Sequence, residues 1–367
     1  MLSKLSLVFH PFKHRSRVGL DSAQVPQLQR VGAQDALFIG NPGSWVEFHR
    51  VGAPSVWGLG RHAELAYHLR TVPDLTGIEE ARRVIAGVAL RTPLVRLDVP
   101  DAPGEIYLKL ENLQPTGSFK IRGAANLLLQ ADPRRLAGGV WTASAGNAGQ
   151  GLAWVARRCG IPCTVIVPES VPKTKVEGLE RLGARILYAE YKQWWRVFEE
   201  RSYPGLDGLF VHPFDEDLFM AGNGTIGLEL LEDLPEVDCV VIPWGGGGLA
   251  SGIASALRAR KPSCTVLAAE VETSSPLAAS LAAGRPAQVS RTPSFVDGIG
   301  GPSVQHNMFE MGRTLLDGSV VVSLDEVRNS IRLLAERARV IAEGAGAAPV
   351  AAALSGRAGS GAVACVV

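Results

Sequence analysis

Residues 239–260 read CVVIPWGGGGLASGIASALRAR, and the order of residue types in this stretch decides the fold. Cys239 to Ile242 is a near-continuous apolar run, the composition of a strand buried on both faces, and Leu249 onward has the apolar spacing of an amphipathic helix. Between them stand Gly245, Gly246, Gly247 and Gly248. One glycine satisfies a tight turn. Four let backbone N–H groups converge at a helix N-terminus, where the macrodipole adds attraction for an anion. The run fits neither the dinucleotide fingerprint G-x-G-x-x-G nor a Walker loop, since no Gly-Lys-Ser/Thr follows. It predicts a phosphate site for a compact cofactor.

The same strand-to-helix grammar extends outward from residue 77, beginning with helical spacing in GIEEARRVIAGVAL. Strands are expected at Ile106–Leu110, Ile161–Val167, Arg185–Tyr188, Cys239–Ile242, Thr265–Ala269 and Ala362–Val367, separated by helices. The fold class is α/β, with parallel strands and helices on both sheet faces. A chain of 367 residues is long enough for two domains. Ligands are expected at the carboxyl ends of the strands, where the turns Ser144–Gly151 and Gly245–Gly248 lie. Residues 1–70 lack sustained periodicity and read as an irregular N-terminal extension without the apolar core of a secretory signal.

Composition narrows the partners. The chain has 37 Lys plus Arg against 36 Asp plus Glu, a net charge of +1, and no clustered basic run, which argues against nucleic acid. No stretch of about 18 apolar residues suits a membrane span. The five cysteines, Cys159, Cys163, Cys239, Cys264 and Cys365, lie in apolar segments and read as buried thiols in a reducing, cytoplasmic setting rather than as disulfides or a metal knuckle.

Two further segments carry chemistry. In Glu111–Ala124, ENLQPTGSFKIRGA, Lys120 sits between Phe119 and Ile121 after a Pro and Gly turn. Apolar surroundings disfavour an ammonium and turn a lysine into an amine nucleophile and base, although a lysine in such a place is more often a snorkelling surface residue. In SAGNAGQG, residues 144–151, the amides and the side chains of Ser144 and Asn147 suit a small carboxylate and equally suit helix capping.

Together these segments resemble the serine/threonine dehydratase branch of the fold type II, tryptophan synthase β-like, pyridoxal phosphate enzymes. The resemblance covers about residues 77–367 through RTPLVRL, ENLQPTGSFKIRGA, SAGNAGQG, PFDEDLFMAGNGTIGLEL, GGGGLASGI, FVDGIGG and AEGAGAAPVAA. It implies two open parallel-sheet domains with the cofactor between them, the larger formed by residues 71–138 and 216–367 and the smaller by 139–215. It implies that Lys120 bonds covalently to pyridoxal 5'-phosphate and that Phe119 packs on its ring. Asn147 would bond the phenolic oxygen, and Gly245, Gly246, Gly247, Gly248 and Leu249 would hold the phosphate. Ser144, Asn147 and the Ala148 amide would hold the substrate carboxylate, and a homodimer is the family habit. Glu343 matches an acid near the cofactor ring, and as a residue it suits a helix N-terminus equally.

Several positions depart from that family's pattern. Ala148 replaces a histidine, which opens the carboxylate loop to bulkier substrates. Ala145 stands where racemases of the family carry the serine that works on the opposite face, so elimination is expected over racemisation. Gly222-Asn223-Gly224-Thr225 stands where the family has G-Q-G-T; by letter Asn223-Gly224-Thr225 is also a glycosylation sequon, expected to be inert. Glu270 holds the first position of a divalent-cation site whose second carboxylate has no match at Ser274-Ser275-Pro276, so no metal is expected. The family continues the last strand into S-G-G-N, whose serine bonds the cofactor's ring nitrogen, and this sequence ends at Val367. No regulatory domain follows, so end-product feedback is not expected. The expected activity is dehydration and deamination of L-threonine, L-serine or a related β-hydroxy amino acid to a keto acid and ammonia. The alternatives are β-replacement, racemisation, or a cofactor-binding pseudoenzyme.

Overall fold

The computed structural model describes residues 72–367 together with the backbone of one hairpin near the N-terminus. That hairpin pairs β1 (Ala36–Asn41) with β2 (Ser44–His49) in antiparallel register. It is an element that the sequence reading did not assign; the rest of the irregular extension expected over 1–70 lies outside the described residues.

The main body opens with α1 (Leu75–Val84), whose N-cap Asp74 accepts a 2.7 Å hydrogen bond from the Gly77 amide. Next come β3 (Leu94–Leu97), β4 (Glu105–Lys109), α2 (Lys120–Gln130), the short α3 (Pro133–Leu136), β5 (Val140–Thr142) and α4 (Asn147–Cys159). Then follow β6 (Cys163–Pro168), α5 (Lys173–Arg181), β7 (Arg185–Ala189), α6 (Tyr191–Glu200), β8 (Leu209–Phe210) and α7 (Asp217–Asp233). The chain continues through β9 (Cys239–Pro243), α8 (Gly248–Arg260), β10 (Thr265–Val271), α9 (Pro276–Ala283), α10 (His306–Leu315) and β11 (Gly318–Val322). It finishes with α11 (Leu324–Leu333), α12 (Gly344–Leu354) and β12 (Ala362–Val366).

The strands form two sheets, one in the order β11-β10-β9-β12-β4-β3 and one in the order β7-β6-β5-β8. Every pairing in them is parallel except β3 on β4, an antiparallel edge that the sequence did not announce. In the larger sheet the last strand of the chain, β12, lies between β9 and β4, and all five of its residues are buried. Side chains on both faces of this sheet enter apolar cores, which is why its central strands β9 and β12 read as near-continuous apolar runs. A further core, on the smaller sheet, joins α2 and α4 to β5 and β6.

All six expected strands are present with ends shifted by one or two residues. Besides β1 and β2, the missed strands are β3, β5, β8 and β11; β5 has three residues and β8 two, too few to show a period. The expectation of five buried thiols fails at Cys159, which is exposed at the end of α4, while the other four cysteines are buried. Trp194 and Trp195 belong to a small aromatic cluster with Phe198, and the Trp194 indole donates to the Ile166 carbonyl at 3.2 Å. Glu270 closes β10 by accepting from the Leu277 and Ala278 amides at 2.8 and 2.7 Å and from Ser319 Oγ at 2.6 Å. Its carboxylate is thus occupied at the start of α9. Among the described residues no helix is long and apolar enough to cross a membrane.

Candidate active site

The two turns singled out in the sequence leave parallel strands at their carboxyl ends, where an open α/β sheet leaves a crevice. The glycine turn joins β9 to α8, and Gly247 is the N-cap with φ of +92°, a left-handed conformation that an L side chain rarely adopts. The first amides of α8 have no intrahelical acceptor and point toward the crevice end of the helix. Phe214 closes the turn from one side. A methyl group on Gly246 would fall 2.2 Å from the Phe214 ring, and one on Gly248 would fall 2.4 Å from the Phe214 carbonyl oxygen. The glycines are therefore required by packing as well as by their amides.

Lys120 opens α2, and its amine donates to the Pro213 carbonyl at 2.7 Å. The nitrogen lies 5.0 Å from the Phe119 ring centre and 5.6 Å from that of Phe219. Burial pushes this amine down from 10.5 to about 8, against the opposing pull of the Glu343 carboxylate. A fraction of the amine is consequently neutral near pH 7, as a nucleophile or base requires. This is not a snorkelling lysine.

Two residues on, Arg122 is 1% exposed and anchors the start of α2. Its guanidinium donates to both Glu111 oxygens at 2.8 and 2.9 Å and to both Glu229 oxygens at 2.7 and 2.9 Å. It also reaches Thr225 Oγ1 and the Leu90 carbonyl. Lys109 Nζ meets Glu229 at 2.6 Å from the other side. Opposite charges thus face each other throughout this buried cluster, fixing α2 to α7 and to the turn before it.

The 144–151 turn leads into α4, which begins at Asn147 with Gly146 as N-cap and no side-chain cap. Neither Ser144 nor Asn147 caps the helix, so the capping alternative fails. Ser144 is half-buried and Ala148 buried. Asn147 Nδ2 instead donates to Glu343 Oε1 at 2.8 Å. Glu343 holds the N-cap position of α12, its carbonyl accepting from the Ala347 amide while its side chain bonds none of that helix's amides. Burial raises the Glu343 carboxyl, and the Asn147 bond moderates the rise. A Cβ on Gly298 would lie 3.0 Å from Glu343 Oε1, and one on Gly245 would lie 3.4 Å from the Gly298 carbonyl, which ties Glu343 to the glycine turn. The end of β12 joins the same neighbourhood, because a Cβ on Gly346 would lie 3.0 Å from the Val367 carbonyl carbon.

Lys120, Phe119, Asn147, Glu343 and the glycine turn thus converge. Sequence reasoning missed Pro213, Phe214 and Phe219, which bridge them. The signal was the His-Pro-Phe-Asp stretch at a strand-to-helix join, where proline fixes a turn.

The family model described as "Pyridoxal-phosphate dependent enzyme" matches residues 85–367. The chain belongs to the pyridoxal-phosphate-dependent enzyme family. Within it, the chain is 40% identical over 289 residues to a Thermotoga maritima protein named L-threonine ammonia-lyase, covering 77% of this chain and 71% of that relative. It is 43% identical over 258 residues to a Geobacter sulfurreducens protein of the same name, covering 69% of this chain and 63% of that one. The chain therefore spans just under two thirds of the Geobacter relative's length. Among solved structures, maize serine racemase matches with a TM-score of 0.74 at 32% identity, covering 81% of this chain and 93% of that one. A threonine deaminase from the organism abbreviated T.th. matches with a TM-score of 0.70 at 32% identity, covering 80% and 97%. The fold is the tryptophan synthase β-like fold type II of this family.

Proposed function

We propose that this family member is an ammonia-lyase that dehydrates and deaminates L-threonine, L-serine or a related β-hydroxy amino acid. The observation that carries the reading is the enclosed Lys120 amine, pushed down to about 8 and linked through Pro213 and Phe214 to the glycine turn. The names of the relatives at 40% and 43% identity support the same reaction.

The residues present fit pyridoxal phosphate. Its aldehyde calls for a partly neutral amine, and its phosphate calls for free amides at a helix N-terminus; Lys120 supplies the first, and the side-chain-free Gly245 to Gly248 with the Leu249 amide would supply the second. When bound, the cofactor withdraws electrons from the substrate's α-carbon, which acidifies the α-proton and labilises the β-hydroxyl. Lys120 would hold the cofactor and, once freed, take the α-proton at Nζ. Phe119 would flank the ring. Asn147 would turn from Glu343 to the phenolic oxygen, and Ser144, Asn147 and the Ala148 amide would fix the substrate carboxylate. Ala145 offers no acid or base on the opposite face, so the abstracted proton has no route back with inverted configuration. The same reading carries a cytoplasmic homodimer.

The test is keto-acid and ammonia release from L-threonine and L-serine by protein supplied with excess pyridoxal phosphate, with chiral analysis of recovered serine. The reading requires keto acid and ammonia in equal amounts without D-serine. D-serine as the main product, or no turnover by a protein that binds the cofactor, would refute it.

A further inference from the structure

The join between β8 and α7 carries an arrangement to which the reaction assigns no part. His212 is fully buried, and its Nδ1 accepts from the Asp215 amide at 2.9 Å and from the Phe214 amide at 3.4 Å. Two amide donors on Nδ1 require that nitrogen to be unprotonated, so the ring proton sits on Nε2. Edge-to-face contacts with Phe198, Phe210 and Phe214 at 5.9, 5.8 and 4.4 Å hold the ring's orientation.

The Phe214 N–H that faces His212 belongs to the same peptide unit as the Pro213 C=O that faces Lys120. No cis peptide occurs among the described residues. In a planar trans unit the N–H and C=O point in opposite directions. Seating the N–H on Nδ1 therefore aims the carbonyl at the Lys120 amine. The next residue, Phe214, packs on Gly246 and Gly248. One turn thus sets both the direction of the amine and the wall of the anion site.

We propose that neutral His212 is a positioning residue: through the 213–214 peptide it aims the Lys120 amine into the crevice and holds Phe214 against the glycine turn. The inference rests on Lys120 being the amine that takes the cofactor. It needs an acceptor at the δ1 position. Asparagine places its Oδ1 where Nδ1 stands, whereas glutamine carries its carbonyl one bond further.

The experiment compares the parent with His212→Asn, His212→Gln and Lys120→Ala. It measures the rate of pyridoxal phosphate capture, trapped with borohydride, beside the melting temperature of each protein. His212→Asn should capture within about threefold of the parent and His212→Gln roughly tenfold or more slowly, a cost typical of small misplacements. A folded His212→Gln protein capturing as fast as the parent overturns the inference, and so does a folded His212→Asn protein as slow as His212→Gln. Capture by Lys120→Ala would instead overturn the assignment of Lys120. If both His212 variants fail to fold, the imidazole 15N spectrum of the parent decides: an unprotonated Nδ1 supports the inference and a protonated one overturns it.

Discussion

Replacing Lys120 with methionine keeps the volume and removes the buried charge, and its effect on stability depends on pH with a sign that the structure fixes. The folded protein without cofactor holds this amine near 8, against 10.5 in the ordinary state. A group depressed on folding contributes its full share above the unfolded value and loses it as pH falls through the folded one. At roughly 1.36 kcal/mol per pH unit, the fall from 10.5 to about 8 corresponds to about 3 kcal/mol. The parent therefore carries a penalty of that size below pH 8, and the penalty fades between pH 8 and 10.5. The methionine variant carries none, although it leaves the Pro213 carbonyl without its donor, a cost of about 1–3 kcal/mol that does not vary with pH. Urea unfolding of both cofactor-free proteins at half-unit steps of pH measures the difference. Lys120→Met should lose its advantage over the parent by about 3 kcal/mol between pH 7 and 10.5. A constant difference across that range would refute the depressed amine.

Other consequences concern packing and access. Gly248→Ala directs a methyl group to within 2.4 Å of a backbone oxygen, and pyridoxal phosphate affinity by equilibrium titration should fall roughly tenfold or more as the turn opens. Arg122→Met leaves Glu111 buried without its cation and Glu229 with Lys109 alone, and urea unfolding should show a loss of about 3–5 kcal/mol. Ala145→Ser places a hydroxyl in the carboxylate loop, and chiral chromatography should then detect D-serine formed from L-serine. One of the five thiols, Cys159, should react with an aromatic disulfide reagent in the native protein, and the rest only after unfolding. Burial pushes Cys163 and Cys239 up to about 12 and Cys264 to about 11, which keeps their thiolate fraction negligible.

Much of this was legible because parallel strands buried on both faces leave unbroken apolar runs, and because four adjacent glycines have few uses. Lys120 could be chosen through the motif around it. Its depressed amine could not be read from composition, because Pro213 and Phe219 reach it from about 93 and 99 positions further along the chain. Glu343 illustrates the same limit. Sequence left it divided between a helix N-terminus and a site residue, and it proves to hold the N-cap position while turning its carboxylate to Asn147. His212 stayed silent because a histidine followed by proline reads as an ordinary turn; only the shared peptide between its ring and Lys120 gives it a part.

The most direct test of the account is to load the protein with pyridoxal phosphate, reduce it with borohydride, and map the labelled peptide. The account predicts a single label on Lys120, in the peptide that follows Ser118-Phe119, and none in Lys120→Ala. Label on another lysine, or equal labelling of the Lys120→Ala protein, would contradict it.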